Sequence, residues 1–220
     1  MPVVCPDCHD APRRTRRGEE RDARLRARAS ELFLERGYDG VSVDDIVREV
    51  GGSKSNVYSF YGGKDGLFLA VMAEITVEMV SPLKRLQLQG LSFADGLAAF
   101  SRALLSVLLE ERHLAFQRLL VTEAMRHPQL GSTWYQNGPQ LARGVLRNFL
   151  AEHQARGNIR ADVDLTQAAV LLDDMIVGDL WIRAMMGVGG GPQPDDVEQT
   201  IRHAVEMATR GLAPAGSGGA

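Results

Sequence analysis

The segment from Ser42 to Lys64 constrains this chain more than any other, because it predicts two short helices joined by a tight turn. It reads SVDDIVREVGGSKSNVYSFYGGK. Ser42 is placed to cap the first helix, with Asp45 in the position of a capping-box acid. Gly51 and Gly52 supply the turn, since glycine reaches positive φ without steric cost. The pattern is typical of a helix-turn-helix.

The second helix of this pair carries small polar side chains at its start. Ser53 is placed to cap that helix, while Val57 and Phe60 are spaced to pack inward. In a helix-turn-helix, the first turn of the second helix reaches base edges in the major groove of DNA. The pattern therefore predicts a helix that reads DNA. Its outward positions are Lys54, Ser55, Asn56 and Ser59.

A longer run around this motif resembles the DNA-binding domain of the TetR/AcrR family of bacterial repressors. It spells L-x-x-A-x-x-L-F-x-x-x-G-Y-x-G ahead of the first short helix. The resemblance implies an all-α regulator that binds DNA with its N-terminal domain. The matching residues are Leu25, Ala29, Leu32, Phe33, Gly37, Tyr38, Gly40, Ser42, Asp45, Ile46, Gly51, Ser53, Lys54, Tyr58, Lys64, Leu67 and Phe68.

The remainder of the chain resembles the AefR-like type of effector domain. The matching words are FQRLLVTEAMRHPQL, the YQNGP break, the ARGNIR turn and a closing helix after a glycine-rich loop. The expected fold is all-α: a three-helix helix-turn-helix domain, then a helical ligand-binding and dimerisation domain, with about nine helices altogether. The expected regions are a flexible basic tail over 1–17, the DNA-binding domain over 18–65 with its motif at 43–61, the effector domain over 66–212 and a disordered tail over 213–220.

Apolar periodicity and cap signals place the helices outside the motif. Pro82 is expected to kink or shorten its helix, and Asp164 to cap a very apolar one. The predicted spans are about 19–36, 64–87, 92–111, 112–127, 139–154, 164–186 and 195–210.

Charge is distributed unevenly, although the net charge is only −3. Eight arginines and three acids lie between Arg13 and Arg28, and the body is mildly acidic. A basic end suits DNA. With 45% hydrophobic residues, no run of 18 apolar residues and no signal-peptide core, we expect a cytoplasmic protein with a sizeable core and no membrane contact.

DNA contacts are expected from the helix-turn-helix and from the basic arm before it, and the resemblance adds a backbone contact by Lys64. Asn56 lies in the first turn of the second helix, where Asn can pair with adenine through two hydrogen bonds. Ser42 is placed to present backbone amides to a phosphate. The predicted DNA contacts are Arg14, Arg16, Arg17, Ser42, Ser53, Lys54, Ser55, Asn56, Tyr58, Ser59, Tyr61 and Lys64.

The basic arm ahead of the first helix consists of Arg13, Arg14, Arg16 and Arg17. One interpretation places it in an adjoining minor groove, where it prefers narrow A·T-rich stretches. The other makes it a solvated charge run that adds nonspecific attraction. Both predict salt-sensitive DNA binding, because each neutralised phosphate releases counterions.

The N-terminal tail contains the spelling CPDCH, with Cys5, Cys8 and His9. CxxCH attaches c-type haem, and two cysteines with a histidine also suit part of a zinc site. Haem attachment requires export and tetrahedral zinc would lack a ligand, so we expect no cofactor and no metal. A thiol- or metal-responsive regulator stays the alternative. A helical enzyme is a more distant one, because the body shows no catalytic constellation.

The body mixes large apolar side chains with a few polar ones, which suits a pocket for a small apolar or amphipathic effector. The resemblance implies that helices four to eight enclose it. The alternative is that the same rings form ordinary core. The candidate ligand contacts are Phe93, Phe100, Phe116, Gln117, Leu120, Glu123, Trp134, Tyr135, Asp174 and Trp181.

Two apolar helix faces near the C-terminus are candidates for a homodimer interface, because the family's last two helices pair in this way. Asp173, Asp174 and Asp179 interrupt the first of these helices, where a buried unpaired carboxylate is costly. They are expected to face solvent, to pair with Arg183 or to sit in the pocket. The interface candidates are Ala169, Leu172, Ile176, Asp179, Arg183, Val197, Ile201, Ala204, Val205 and Ala208.

These expectations combine into a homodimeric repressor that binds a palindromic operator and is released from it by a small molecule. The helix over 64–87 joins both domains, so it is the expected route of coupling between ligand and DNA. A DNA-binding protein without a ligand, whose body serves only for dimerisation or protein partners, is the alternative.

Overall fold

The computed structural model describes residues 16–214, and within them the chain forms ten α-helices and no strand. The expected all-α fold is confirmed, with one helix more than predicted. The chain divides after Met72, inside α4, into two compact units. The helices are α1 (Arg16–Arg36), α2 (Val43–Val50), α3 (Lys54–Tyr61), α4 (Lys64–Lys84), α5 (Phe93–Leu108), α6 (Glu111–Glu123), α7 (Pro128–Asn137), α8 (Pro139–Ala155), α9 (Leu165–Met186) and α10 (Pro194–Leu212).

The first unit packs α1, α2, α3 and the start of α4 around an aromatic centre. Phe33 of α1 meets Phe68 of α4 edge-on, with ring centroids 5.0 Å apart, and the Tyr38 ring lies 4.8 Å from Phe68. Ile46 of α2 and Val57 of α3 are fully buried. Each such side chain stabilises the fold by roughly 1.5–3 kcal/mol relative to exposure. The apolar faces therefore fix α2 and α3 as a rigid pair.

The turn between α2 and α3 forms as the sequence predicts. Ser42 and Asp45 make a complete capping box at the start of α2. Gly51 ends that helix with φ 68°, a left-handed conformation that favours glycine. Two predictions for α3 are wrong. Ser53 occupies its N-cap position but makes no cap hydrogen bond with its side chain, and Phe60 is 38% exposed instead of packed inward.

Helix α4 is long and apolar, and it contributes to both units. It contains Pro82 and ends two residues later, at Lys84, so the proline shortens the predicted span. Its length and composition would also fit a membrane span, but half of the relevant 18-residue window is buried inside the protein. Burial of this kind is typical of a core helix.

The second unit is built around contacts of α9 with α8 and of α5 with α8 and α10. Phe100 of α5, Leu146 of α8 and Ile176 of α9 are completely buried in one hydrophobic cluster. Gly96 allows α5 to approach α8, because a Cβ atom there would lie 2.4 Å from the Phe149 ring. The predicted cap of α9 is confirmed, since the Asp164 side chain accepts hydrogen bonds from two backbone amides of the first turn.

Helix α7 (Pro128–Asn137) is absent from the sequence-based prediction, which ended α6 at Pro128 and read the following residues as a break. Pro128 instead starts α7, at a position where the missing N–H has no intrahelical partner to lose. Helix α6 ends earlier, at Glu123.

The predicted dimer stripes face the chain's own core, which corrects the sequence-based assignment. Six of the ten candidates are buried: Ala169, Leu172, Ile176, Ile201, Ala204 and Ala208. Val197 and Val205 pack against the same cluster. Asp179 is exposed and lies 3.7 Å from Arg183, which also forms a 3.0 Å ion pair with Asp196 of α10. An apolar stripe is read equally well as core or as interface, so the sequence alone could not separate the two.

Candidate DNA-binding face and effector cavity

The first turn of α3 presents polar side chains to solvent. Ser55 and Asn56 are exposed, and neither makes a side-chain hydrogen bond within residues 16–214. Tyr58 is 58% exposed, and the Ser59 hydroxyl donates to the Asn56 carbonyl over 3.2 Å. Amide and hydroxyl groups held out on a rigid helix in this way can form hydrogen bonds with base edges.

Two lysines flank α3, and each is held by a neighbouring side chain. Lys54 Nζ lies 2.6 Å from the Asp44 carboxylate, and both side chains are more than half exposed. The hydrogen bond to Asp44 raises the pKa of Lys54 above its usual value. Lys64 Nζ sits over the Tyr38 ring, 4.0 Å from its centroid. Lys54 is thus an exposed lysine at the start of α3, and Lys64 is a half-buried one at the start of α4.

Two residues predicted to contact phosphates, Ser42 and Tyr61, form hydrogen bonds within the protein instead. The Ser42 amide donates to the Asp45 carboxylate over 3.0 Å, and the Ser42 hydroxyl takes part in the same capping box. The Tyr61 hydroxyl donates to Asp22 Oδ1 of α1 over 2.6 Å and accepts from Arg26 at 3.3 Å. Burial and the Asp22 hydrogen bond raise the pKa of Tyr61. Tyr61 therefore ties α3 to α1.

The basic arm is described only in part. Arg16 and Arg17 begin α1 and are exposed, and Arg16 lies 3.5 Å from Glu20. Arg14 lies outside the described residues, as does the group Cys5, Cys8 and His9. The described part of the arm is thus a helical turn with solvated guanidinium groups.

The second unit contains a cavity of about 350 Å³. Helices α4 to α9 all contribute to its walls, which are mainly apolar. Its volume lies at the lower end of the usual range for small-molecule sites. The lining residues are Thr76, Met79, Val80, Leu83, Leu104, Val107, Leu108, Gln117, Trp134, Gly138, Pro139, Ala142, Arg143, Asp173, Asp174, Val177, Gly178, Trp181 and Ile182.

One wall of the cavity carries an ionic triad that joins α8 to α9. Arg143 Nε donates to Asp173 over 2.9 Å, and Arg143 Nη2 donates to Asp174 over 2.7 Å. The Asp173 side chain is 10% exposed and that of Asp174 is 60% exposed. Burial raises the pKa of Asp173, while the hydrogen bond from Arg143 opposes that shift.

A second polar group in the cavity lining is a short chain of hydrogen bonds between uncharged groups. The indole N–H of Trp181 donates to Gln117 Oε1, and the Gln117 amide donates to the Leu108 carbonyl over 3.3 Å. Gln117 is 2% exposed. Because both ends of the amide are engaged, this chain fixes the Gln117 and Trp181 side chains at the cavity wall.

Four of the ten predicted ligand contacts line this cavity: Gln117, Trp134, Asp174 and Trp181. The other six lie outside the lining. Phe100, Phe116 and Leu120 are buried in the protein interior, and Phe93 stacks on Phe149. Glu123 is buried, with a carboxylate oxygen 3.6 Å from Arg126, and Tyr135 is 45% exposed.

Three parts of the cavity lining were not predicted from the sequence: Arg143, its ion pair with Asp173, and the α4 residues from Thr76 onward. Arg143 lies 30 residues from Asp173 in the chain, so no local spacing indicates the pair. The α4 residues follow an ordinary helical apolar pattern, which is the pattern of any core helix.

Comparison with known proteins agrees with this geometry. Residues 25–71 match the family described as bacterial regulatory proteins, tetR family, and residues 95–211 match the AefR-like transcriptional repressor C-terminal domain. The HTH-type transcriptional repressor AcnR of Corynebacterium jeikeium is 29% identical over 166 residues, which are 73% of this chain and 80% of AcnR.

Two solved structures share the architecture. A TetR-family regulator from Mesorhizobium loti superimposes with a TM-score of 0.79 at 27% identity, covering 91% of this chain and 100% of that one. The flavonoid-responsive regulator FrrA gives a TM-score of 0.75 at 25% identity, with 90% and 99% covered.

A helix-turn-helix unit followed by a helical body with a cavity, together with these matches, defines a transcriptional regulator. The chain belongs to the TetR family. Proteins of this family bind operator DNA, function as dimers and respond to small-molecule effectors, and ligand-responsive repression is their general mode.

Proposed function

We propose that this protein is a cytoplasmic homodimeric repressor that binds a palindromic operator through α3 and leaves it when an apolar molecule fills the cavity. The supporting observation is the combination of an exposed polar first turn on α3 with a mainly apolar cavity in the second unit. Ser55 and Asn56 are proposed to read bases. Phosphate contacts are proposed for Lys54, Tyr58, Ser59 and Lys64. Further DNA contacts are proposed for Arg14, Arg16, Arg17 and Ser53, which occupies the N-cap position of α3.

Helix α4 is the proposed route of coupling. Its first half supplies Leu67 and Phe68, which are fully buried, and its second half supplies Thr76, Met79 and Leu83 to the cavity wall. A ligand acts only if it favours one arrangement of the recognition helices over another. The two half-sites of an operator are about 34–36 Å apart, so a different separation of the α3 helices weakens binding.

The induction proposal is tested with genomic fragments that the purified protein retains. Fragments are labelled, bound, and titrated with compounds that bind the protein tightly. We expect at least one such compound to release the DNA. Undiminished DNA binding with every tight ligand would refute the induction proposal and leave DNA binding intact.

The outward faces of α9 and α10 are the proposed dimer interface. Leu171, Ile182 and Met186 are more than half exposed, and Met175 lies on the same stripe of α9. Met207 of α10 is 64% exposed and joins Leu171 and Met175 in one apolar groove. Large apolar side chains collected on two neighbouring helices favour pairing with the same patch of a second copy.

Substitution on this stripe tests the interface. Leu171→Glu places a charge in the proposed contact and is expected to shift the protein to a monomer in sedimentation velocity. Val121→Glu is the matched control, since Val121 is equally exposed but lies on α6. A Leu171→Glu protein that stays dimeric would exclude this face.

A further inference from the structure

We propose that the cavity is selective for apolar molecules that carry one positive charge, such as hydrophobic amines, and that it rejects organic anions. This inference rests on the proposed function of the cavity as the effector site. Three charged residues line it: Arg143, Asp173 and Asp174. Two negative groups therefore lie beside one positive group at a site whose other walls are mainly apolar.

The positive group is already paired with both carboxylates of the triad. Three nitrogens of Arg143 are engaged, Nε with Asp173, Nη2 with Asp174 and Nη1 with the Tyr135 hydroxyl at 3.4 Å. A ligand carboxylate that approached Arg143 would be repelled by both aspartates. The guanidinium edge formed by Nε and Nη2, which can bind one carboxylate through two hydrogen bonds, is occupied by Asp173 and Asp174.

The negative groups do retain capacity. One oxygen of Asp173 and one of Asp174 accept from Arg143, and the second oxygen of each makes no hydrogen bond within the described part of the chain. Asp174 lines the cavity while its side chain is 60% exposed, so it stands where the cavity meets solvent. An ammonium group at that place gains a charged hydrogen bond without losing all of its hydration.

Two uncharged donors in the lining, the Trp181 indole and the Gln117 amide, are engaged with protein acceptors. The Trp181 N–H donates to Gln117 Oε1, and one of the two Gln117 amide N–H groups donates to the Leu108 carbonyl, so these two donors are already engaged. The second indole in the lining is Trp134. Indole rings are the best aromatic partners for cations, and the contact strengthens where water is excluded.

The chain supplies its own probe for a test. It contains two tryptophans, Trp134 and Trp181, and both line the cavity. Intrinsic tryptophan fluorescence of the full-length protein therefore reports occupancy of this site directly. Three compounds of matched shape, phenylbutylamine, phenylbutanol and phenylbutyrate, differ mainly in charge. We expect the amine to bind about tenfold more tightly than the alcohol, and the carboxylate to bind most weakly.

The Asp174→Asn variant identifies the charge that is responsible. Asp174 is largely exposed, so the variant should fold, and it should lose the preference for the amine while its affinity for the alcohol is unchanged. Glu152→Gln is the matched control, because it removes a carboxylate of α8 that pairs with Arg156 outside the cavity lining. It should bind all three compounds as the wild type does.

The outcomes separate the charge preference from the cavity proposal. If the alcohol quenches tryptophan fluorescence but the amine binds no better, or the carboxylate binds best, the charge inference is wrong while the cavity remains a ligand site. If Asp174→Asn keeps the preference, this carboxylate does not cause it and the inference fails. If none of the three compounds alters the fluorescence, the cavity proposal fails together with the inference.

Discussion

The two units of this protein carry their proposed functions in opposite ways. In the first unit the reading side chains are consecutive in sequence, exposed, and borne by one short helix. In the second, six helices contribute residues to a cavity whose polar groups are engaged with one another across long sequence separations. A surface site of the first kind follows from a local motif, whereas an interior site of the second kind exists only once the fold has formed.

The largest expected effect is on the stability of the second unit. Arg143→Ala leaves Asp173 buried without its cation, and we expect it to destabilise the protein by about 3 kcal/mol, measured by urea unfolding. Arg147→Ala is the control, because Arg147 lies on the same helix, is exposed and donates a 3.4 Å hydrogen bond to the neighbouring Asn148 instead of to a buried acid.

The pH dependence of this defect has a definite sign. Burial already raises the pKa of Asp173, so the folded state holds a proton there more tightly than the unfolded state does. The cost of the bare carboxylate in Arg143→Ala is therefore fully present above the folded-state pKa and vanishes as pH falls below the ordinary aspartate range. A loss of stability that is equal at every pH would show that Asp173 is not its source.

A smaller effect is expected for the two tyrosines of α3, of which Tyr61 is proposed to stabilise the fold and Tyr58 to contact DNA. Tyr61→Phe removes the hydrogen bond to Asp22, and we expect a loss of about 1 kcal/mol in unfolding free energy with little change in intrinsic DNA affinity. Tyr58→Phe should do the reverse, because Tyr58 is exposed. If Tyr61→Phe leaves stability unchanged but weakens DNA binding, Tyr61 contacts DNA after all.

Prediction from sequence succeeded where a few neighbouring residues decide the outcome. The capping box at Ser42 and the turn at Gly51 depend on backbone geometry within one segment. It failed where a side chain has two plausible environments. The stripe through Leu172 and Ile176 reads as interface but is core, and Tyr61 reads as a phosphate contact but reaches back to α1. Arg143 gave no signal, because its partners are brought to it only by the packing of α8 on α9.

The smallest expected effect concerns the ion pair beside the reading helix. Asp44→Asn frees Lys54 from its 2.6 Å partner and makes its charge available to a phosphate. We expect slightly tighter nonspecific DNA binding and a salt dependence, log K against log salt, steeper by about 0.9. Glu35→Gln, which removes an exposed acid of α1, should leave that slope unchanged. An unaltered slope in Asp44→Asn would mean that Lys54 does not reach the backbone.

The most direct test of the central claim is selection of genomic DNA fragments by the purified protein, repeated with Asn56→Ala. We expect the wild type to retain fragments that share a palindrome. We expect Asn56→Ala to bind them more weakly by about 1–3 kcal/mol, with its affinity for unrelated DNA unchanged. A wild-type protein that retains no fragment over bulk DNA, or an Asn56→Ala protein that binds the same fragments equally well, would contradict base reading by the first turn of α3.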